Sequence, residues 1–296
     1  MISVIQLGTV DYATGLRLQK KLTDLRKENR IGDVLLLLEH TPVITLGRNA
    51  KAANVLASSE QLAQRGVEVF ECDRGGDVTF HGPGQLVGYP IFDLRAFPST
   101  DGKRQTLGVI EYVRRLEEVI IRSCADFGIR TERICKLTGV WTKEEPIELR
   151  STWTLRLRSG QAHGGACPHT SEPGKIAARP HTGESAKIAA LGVHISHSVT
   201  SHGFALNVNT DLDYFNLIIP CGIASKPVTS MAKELGKAVD TSEVAKSIVR
   251  NFGGVFQSQI LWVETLAALL NETVGVPMTL PDNLREIHKH KENFWV

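Results

Sequence analysis

Two side chains in the second half of the chain, a cysteine and a lysine, have the types needed for covalent acyl chemistry. Cys221 follows Ile218-Ile219-Pro220 and precedes Gly222-Ile223, so a proline with fixed φ lies on one side of the thiol and a flexible glycine on the other. Backbone N–H groups beside the thiol would stabilise the oxyanion formed when Cys221 attacks a carbonyl. Unpaired cysteines are also among the most buried residue types, so a structural role for Cys221 stays open.

Lys187 is the candidate for activating that thiol. A cysteine thiol ordinarily has a pKa of about 8.5, so only a few per cent is thiolate at pH 7. A nearby ammonium that lowered this pKa by roughly two units would make most of the thiol reactive. Lys187 opens the apolar run at residues 188–193, which is an unusual place for a lysine. A surface lysine that extends its charge into solvent fits the same pattern.

The segment at residues 74–90 has the composition of a ligand-binding loop. It holds five glycines in 17 residues, and glycine lets backbone N–H groups approach a ligand closely. Arg74, Thr79, His81 and Gln85 supply hydrogen-bonding groups between the glycines. The segment has neither the Gly-Lys-Ser/Thr ending of a phosphate-binding loop nor the dinucleotide spacing, so the expected ligand is not a nucleoside triphosphate. A tight surface hairpin is the structural alternative.

Histidines supply further candidates for acid–base work. His81 and His202 each precede a glycine, and either could orient a thioester carbonyl or shuttle a proton, although a lone histidine is often structural. Another group of histidines and a cysteine matches no zinc spacing, so we expect neither a metal nor a cofactor. That group is His163, Cys167, His169 and His181.

Composition limits the class of protein. With 296 residues, 42% apolar and 22% charged, the chain is typical of a globular enzyme. The longest aliphatic run, at residues 34–38, is far short of the roughly 20 residues of a membrane span. No signal peptide is recognisable, and five cysteines without paired spacing indicate free thiols, so we expect a cytoplasmic protein. A net charge of +2 permits an acidic protein partner but predicts no nucleic-acid binding.

The elements that must position these residues alternate between strand and helix patterns, which predicts an α/β fold with one mixed sheet flanked by helices. Strands are expected at residues 3–7, 33–39, 43–46, 67–72, 86–92, 204–208 and 218–219, with Lys187 opening another. Helices are expected at residues 12–28 and 107–127, the latter ending at Gly128. Ser58 and Gln61 have the spacing of a capping box, and Ser242 is expected to cap a helix that runs to Phe252.

Residues 143–185 break this pattern because they are rich in Gly, Pro, Ser, Thr, His and Arg. They contain most of an imperfect tandem repeat, residues 168–179 and 180–191, in which eight of twelve positions match. We interpret the repeat as a duplication that lengthened a surface loop, and we predict high mobility across residues 145–180. The predicted organisation is a catalytic domain at residues 1–256, with this insertion, and a C-terminal extension at residues 257–296.

Four motifs, taken together, resemble the signatures of the lipoyl (octanoyl) transferase family and occur in the family's order. They are residues 74–86, 187–193, 201–208 and 219–223. Thr45-Leu46-Gly47-Arg48 and Gly139-Val140-Trp141 also fit the family pattern. The resemblance covers roughly residues 1–142 and 184–256, and it fades after Phe256.

The resemblance implies the single-domain fold of the lipoate- and biotin-protein ligases. It also implies transfer of an octanoyl group from octanoyl-acyl carrier protein to a lysine of lipoyl domains, in 2-oxoacid dehydrogenase complexes and the glycine cleavage H protein. Cys221 matches the family's acyl-thioester nucleophile and Lys187 the residue that lowers the pKa of that thiol, with His202 as an auxiliary candidate. The positions that match substrate contacts are Arg74, Gly75, Gly76, Asp77, Val78, Thr79, Phe80, His81, Ala190, Leu191, Gly192, Gly203, Phe204 and Ala205.

Energetics agree with this expectation. Exchange of one thioester for another at Cys221 is nearly balanced in free energy, and attack by an amine then gives a more stable amide, so no ATP is needed. The insertion adds a second lysine in the same context, Lys175, but Arg179-Pro180 follows it and proline removes a strand donor there. Two alternatives remain: an ATP-dependent lipoate-protein ligase, and an inactive homologue that only binds the acyl carrier.

Overall fold

The computed structural model describes residues 1–99, 106–143, 185–220 and 226–272. Cys221 lies outside the described residues. The segment at residues 144–184 also lies outside them. It contains Lys175, the group of three histidines and a cysteine that was compared with zinc sites, and the stretch predicted to be mobile.

One large mixed sheet forms the centre of the fold. Its strands are β1 (Ile2–Val10), β2 (Asp33–His40), β6 (Gln85–Ile91), β7 (Thr131–Ile134), β8 (Leu137–Thr142), β9 (Lys187–Ser196), β10 (Val199–Asn207) and β11 (Ile260–Trp262). Their order is β11-β1-β2-β6-β10-β9-β8-β7. β1 is parallel to β2 and β11, whereas the other neighbours are antiparallel, so the predicted mixed sheet is confirmed.

A smaller sheet holds the start of the glycine-rich segment. It consists of β3 (Val43–Leu46), β4 (Glu68–Glu71) and β5 (Val78–His81), in the order β4-β3-β5. Because β5 belongs to this sheet and β6 to the large one, the hairpin interpretation of residues 74–90 is wrong. The chain crosses between the sheets at Gly84, where φ is +76° and a Cβ would lie 2.7 Å from the backbone of Asn209. Only glycine fits that crossing.

The helices pack on both faces of the large sheet and on the small sheet. They are α1 (Tyr12–Lys27), α2 (Ser59–Gln64), α3 (Val109–Asp126), α4 (Met231–Leu235), α5 (Thr241–Phe256) and α6 (Leu266–Glu272). Leu35 and Leu37 of β2 join the core beneath α3 and α5, while Leu36 joins the core beneath α1 and α6. This alternation explains the continuous apolar run of β2, since both faces of the strand are buried.

Local signals predicted two helix termini correctly. The capping box is present: Gln61 N–H donates to Ser58 Oγ at 3.3 Å, and Ser58 N–H donates to Gln61 Oε1 at 2.9 Å. Gly128 follows the last residue of α3 by two positions and has φ of +80°, the left-handed conformation that ends a helix.

Two predicted features are wrong. Ser242 does not cap α5, because the Asp240 carboxylate accepts the Ser242 N–H at 2.8 Å and so starts the helix two residues earlier. The helix then continues past Phe252 to Phe256, whose ring packs on Phe92. Residues 218–219 do not form a strand; Ile218 makes only an isolated bridge to Val55.

The first part of the C-terminal extension is integrated with the rest of the fold. β11 pairs with β1, with Ile260 opposite Ile2, and so forms one edge of the large sheet. Leu266 and Leu269 are buried in the core that α1 covers. Within the described ranges, no helix is both long enough and apolar enough to cross a membrane.

Candidate active site

Two adjoining cavities lie where the small sheet meets the large one. The large cavity is open to solvent, spans about 470 Å³ including part of that open space, and lies between the glycine-rich segment and strands β9 and β10. The smaller one, about 270 Å³, contains Lys187 in its lining, and we call it the lysine cavity. Thr79, Ala190 and Ala205 line both, so the cavities share a wall.

Most of the residues that the sequence motifs indicated line the large cavity. They are Arg74, Gly76, Asp77, Thr79, His81, Ala190, Leu191, Gly192, His202, Gly203, Phe204 and Ala205. Three others do not. Val78 and Phe80 alternate with Thr79 and His81 along β5, so they point to the opposite face of the small sheet. There they are buried in the apolar core of that sheet, and the Phe80 ring stacks on the Tyr214 ring with 4.7 Å between the ring centres. Gly75 instead donates its N–H to the Val193 carbonyl at 3.0 Å.

Arg74 is held rigidly at the start of the glycine-rich segment. Its guanidinium donates to the Thr45 carbonyl at 2.6 Å and to the Thr45 hydroxyl at 2.8 Å. Gly47 allows this approach, because a Cβ there would lie 2.7 Å from the Arg74 guanidinium and 2.4 Å from the Gly76 carbonyl. The Thr45-Leu46-Gly47 motif therefore positions the arginine at the cavity.

Lys187 is the first residue of β9 and is only 6% exposed. Its Nζ lies 4.8 Å from the centre of the Trp141 ring. Its backbone N–H donates to the Pro227 carbonyl at 2.8 Å, and its carbonyl accepts the Thr229 N–H at 2.9 Å. The strand that carries the lysine is thus tied to the chain that follows residues 221–225.

Pro220, the residue before Cys221, lines the lysine cavity together with Lys187. The residue before Pro220 is also fixed, because the Ile219 N–H donates to the carbonyl of Asn54, between β3 and α2, at 2.8 Å. Both flanks of residues 221–225 therefore lie at the lysine cavity: Pro220 forms part of its wall, and residues 226–229 run along the Lys187 backbone.

A chain of side-chain hydrogen bonds fixes the tautomer of His81. Asn207 Nδ2 donates to the Thr229 carbonyl at 2.9 Å, so Asn207 Oδ1 accepts Gln85 Nε2–H, also at 2.9 Å. Gln85 Nε2 donates in addition to the Phe80 carbonyl at 3.1 Å. Gln85 Oε1 then faces His81 Nδ1 at 2.7 Å and must accept its proton. This network assigns the proton of neutral His81 to Nδ1 and leaves Nε2 as an acceptor.

Two buried histidines, His81 in the cavity lining and His40 behind it, are neutral at physiological pH. Burial lowers the pKa of His81 to about 3, helped by the neighbouring His40 and by the charge of Arg74. Burial also lowers the pKa of His40 to about 4. His40 Nδ1 donates to the Val10 carbonyl at 2.7 Å, and its Nε2 accepts the Tyr89 hydroxyl at 2.6 Å. These imidazoles act as fixed hydrogen-bonding groups rather than as charges.

His202 is tied to the glycine-rich segment through Asp73. Its Nε2 lies 2.7 Å from Asp73 Oδ1, and His194 Nδ1 lies 3.1 Å from the other carboxylate oxygen. Burial lowers the pKa of His202, while the Asp73 carboxylate opposes that shift. The backbone of His202 has φ of +56°, an unfavourable value for a non-glycine residue, and the Gln19 side chain accepts its N–H at 2.7 Å.

Sequence reasoning missed several residues of the site. Val87 and Tyr89 line the large cavity, and their alternation along β6 inside the glycine-rich segment was a usable signal. Tyr12 also lines it, from the first turn of α1, where no local pattern marks it. Phe215 and Val228 line the lysine cavity and likewise have no local signature, whereas Asn207 lines it from within the motif at residues 201–208.

The site combines a largely apolar slot with a buried amine in the adjoining lysine cavity. Val87, Leu191, Phe204 and Ala205 supply apolar surface, and Lys187 supplies a group that can give or take a proton. Such an arrangement suits an acyl chain whose carbonyl carbon lies near the lysine.

Comparison with known proteins agrees with this chemistry. Residues 11–253 match the family model described as the lipoyl protein ligase A/B catalytic domain. The chain is 55% identical to the octanoyltransferase of Koribacter versatilis over 98% of both chains. It is 49% identical to the octanoyltransferase of Acidobacterium capsulatum, over 92% of this chain and 97% of that one.

Solved structures show the same fold. A bi-partite lipoate protein ligase from Thermoplasma acidophilum superposes with a TM-score of 0.59 at 15% identity, covering 93% of this chain and 91% of that one. A lipoate-protein ligase A bound with ATP gives 0.58 at 13% identity, covering 93% of each chain. The expected lipoate-protein-ligase fold is confirmed.

Proposed function

The chain belongs to the lipoyl protein ligase A/B catalytic-domain family and is an acyltransferase, and we propose that it transfers an octanoyl group through a thioester on Cys221. The donor in this proposal is octanoyl-acyl carrier protein. The acceptors are lysines of lipoyl domains, in 2-oxoacid dehydrogenase complexes and in the glycine cleavage H protein. The observation that carries the proposal is that Lys187 and Pro220, the neighbour of Cys221, line one cavity beside an apolar slot.

In the first half-reaction the Cys221 thiolate attacks the octanoyl carbonyl carbon of the donor thioester. A new C–S bond forms, the C–S bond to the carrier breaks, and the carrier thiolate leaves. Lys187 takes the proton of Cys221 and then gives it to the departing thiolate. The charge that Lys187 gains also favours the thiolate form of Cys221.

In the second half-reaction the lysine amine of a lipoyl domain attacks the same carbonyl carbon. A C–N bond forms, the C–S bond to Cys221 breaks, and the amine's proton passes through Lys187 to the cysteine. The product is an amide, which is more stable than the thioester, so the reaction needs no nucleotide.

The apolar lining of the large cavity supports an eight-carbon chain as the cargo. Burial of each methylene contributes about 0.8 kcal/mol, so a slot of fixed length discriminates between acyl groups that differ by a few carbons. Leu191 of β9 is paired with Phe204 of β10 in the strand register, and both residues would flank the acyl chain.

Intact-mass measurement after mixing with octanoyl-acyl carrier protein, without ATP, tests the proposal. We expect one octanoyl group on the wild-type protein, released by hydroxylamine. Cys221→Ser is expected to carry no hydroxylamine-labile group, and Lys187→Ala to acylate much more slowly. Lys175→Ala is the matched control and is expected to behave as the wild type.

Other outcomes favour the alternatives. Pyrophosphate release from ATP with free octanoate would favour an ATP-dependent lipoate-protein ligase, and no adduct from either donor would favour an inactive carrier-binding protein. Loss of acylation in Lys175→Ala but not in Lys187→Ala would contradict the assignment of the lysine.

A further inference from the structure

We propose that Trp141 is a positioning residue that holds the Lys187 amine in its working place through the face of its indole ring. This inference rests on the proposed function only in assuming that Lys187 serves Cys221. The contact itself is a property of the described residues.

The two side chains meet in a buried, water-poor environment. Lys187 Nζ lies 4.8 Å from the Trp141 ring centre, within the range of about 6 Å for a cation over an aromatic face. Trp141 is 1% exposed and Lys187 is 6% exposed. Tryptophan is the best of the aromatic side chains for this interaction, and desolvation strengthens it.

Strand pairing brings the two residues together. Trp141 of β8 is paired with Lys187 of β9, and the register shifts between this pair and the neighbouring pair Val140 and Ala189. One step on β8 corresponds to two steps on β9, which is the pattern of a β-bulge. Bulges redirect side chains, and this one lies at the lysine.

Gly139 leaves room for the lysine side chain. Its φ is +139°, and a Cβ there would lie 3.1 Å from Lys187 Cε and 3.4 Å from Trp141 Nε1. The Gly139 N–H donates to Glu117 Oε1 at 3.2 Å, and the fully buried Glu117 is paired with Arg133 at 3.1 Å. Helix α3 therefore fixes the backbone that presents the indole to the amine.

Among the described residues, the indole N–H finds no acceptor that would explain a tryptophan here. Trp141 Nε1 is buried and has no hydrogen-bond partner among the described residues. A buried tryptophan ordinarily finds an acceptor for this group. The ring face is thus the feature of Trp141 that contacts a functional side chain.

The test is the pH dependence of Cys221 alkylation by iodoacetamide, followed by peptide mass spectrometry so that each cysteine is resolved. We expect alkylation near neutral pH to fall about tenfold in Trp141→Leu and about threefold in Trp141→Phe, with both profiles moved to higher pH, because leucine lacks the ring face and phenylalanine has a weaker one. Lys187→Met gives the profile of a thiol without the amine. A residue with a purely structural role would not move this profile.

Phe92→Leu is the matched control, since it removes another fully buried aromatic ring outside both cavities. Thermal unfolding shows whether each variant folds. If Trp141→Leu does not fold, the alkylation profile of Trp141→Phe decides the question. Profiles of the tryptophan variants that match the wild type, or that match Phe92→Leu, would overturn the inference. A wild-type protein that forms no octanoyl adduct, yet shows the Trp141 dependence, would instead refute the proposed function alone.

Discussion

Buried imidazoles at the cavity make the stability of the protein depend on pH. His40 and His81 have pKa values of about 4 and about 3 in the folded protein, below the 6.5 of a free imidazole. Between these values the unfolded chain binds more protons than the folded one, so stability falls as the pH drops below about 6.5. Each unit of pH in that window costs about 1.4 kcal/mol per group.

We therefore expect the free energy of unfolding in urea to fall by about 1.6 kcal/mol for each of these two histidines between pH 6.5 and pH 5. His81→Gln should lose about half of this dependence, whereas His197→Gln, at an exposed position, should keep it. A His81→Gln protein with the same pH dependence as the wild type would contradict the assignment of a neutral, buried imidazole.

Individual site residues were easier to predict from the sequence than the residues that contact them in the fold. Arg74, Thr79 and His81 were recognisable because glycines surround them and a family motif contains them. Tyr12 was not, because it reaches the cavity only through the packing of α1 against the sheet. His40 likewise shows its role only once the Tyr89 hydroxyl is found at 2.6 Å.

Among the elements, β6 and β10 approach so closely at the cavity that only glycine fits at one position. A Cβ on Gly203 would lie 2.1 Å from the Gly88 carbonyl oxygen and 2.6 Å from Pro90 Cδ. Because the first of these atoms is backbone, no side-chain rotation can relieve the overlap. The strands themselves would have to separate.

Gly203→Ala is therefore expected to lower the free energy of unfolding by about 2–3 kcal/mol and to reduce acyl transfer. Gly254→Ala is the matched control, since no atom lies within 4 Å of a Cβ at that helical position. This control should gain up to about 1 kcal/mol from the better helix propensity of alanine. Urea unfolding of the two variants checks both signs, and equal stabilities would contradict the close strand approach.

Elements with strong local patterns were predictable, and those that depend on partners were not. β2 has a continuous apolar run and α3 a long periodic one, and both were placed within two residues at each end. β5 was missed because its four residues lie among glycines, and it exists through pairing with β3. Residues 218–219 are apolar enough for a strand, but their neighbours in space offer only an isolated bridge.

For the whole molecule, the chain-length preference of the proposed transfer depends on the point where the two cavities meet. Ala205 lines both, so a larger side chain there would shorten the slot beside the reacting carbonyl. We expect Ala205→Leu to reduce transfer of octanoyl groups at least about tenfold while transfer of butanoyl groups falls less. Rates with the two donors check this ratio.

Ala63→Leu, at an exposed position on α2, is the control for the added side-chain volume and should leave both rates unchanged. Equal losses with octanoyl and butanoyl donors in Ala205→Leu would place the acyl chain elsewhere. The convergence of β5, β6, β9 and β10 on this slot could not be deduced from periodicity, because β6 ends at Ile91 and β9 begins only at Lys187.

In the proposed reaction, the thioester on Cys221 is an intermediate rather than a dead end. The most direct measurement is to acylate the enzyme with octanoyl-acyl carrier protein, remove the donor, and add a lipoyl domain without ATP. We expect the octanoyl group to leave the enzyme and to appear as an amide on the lipoyl-domain lysine. An adduct that stays on the enzyme, or that moves only when ATP is supplied, would contradict it.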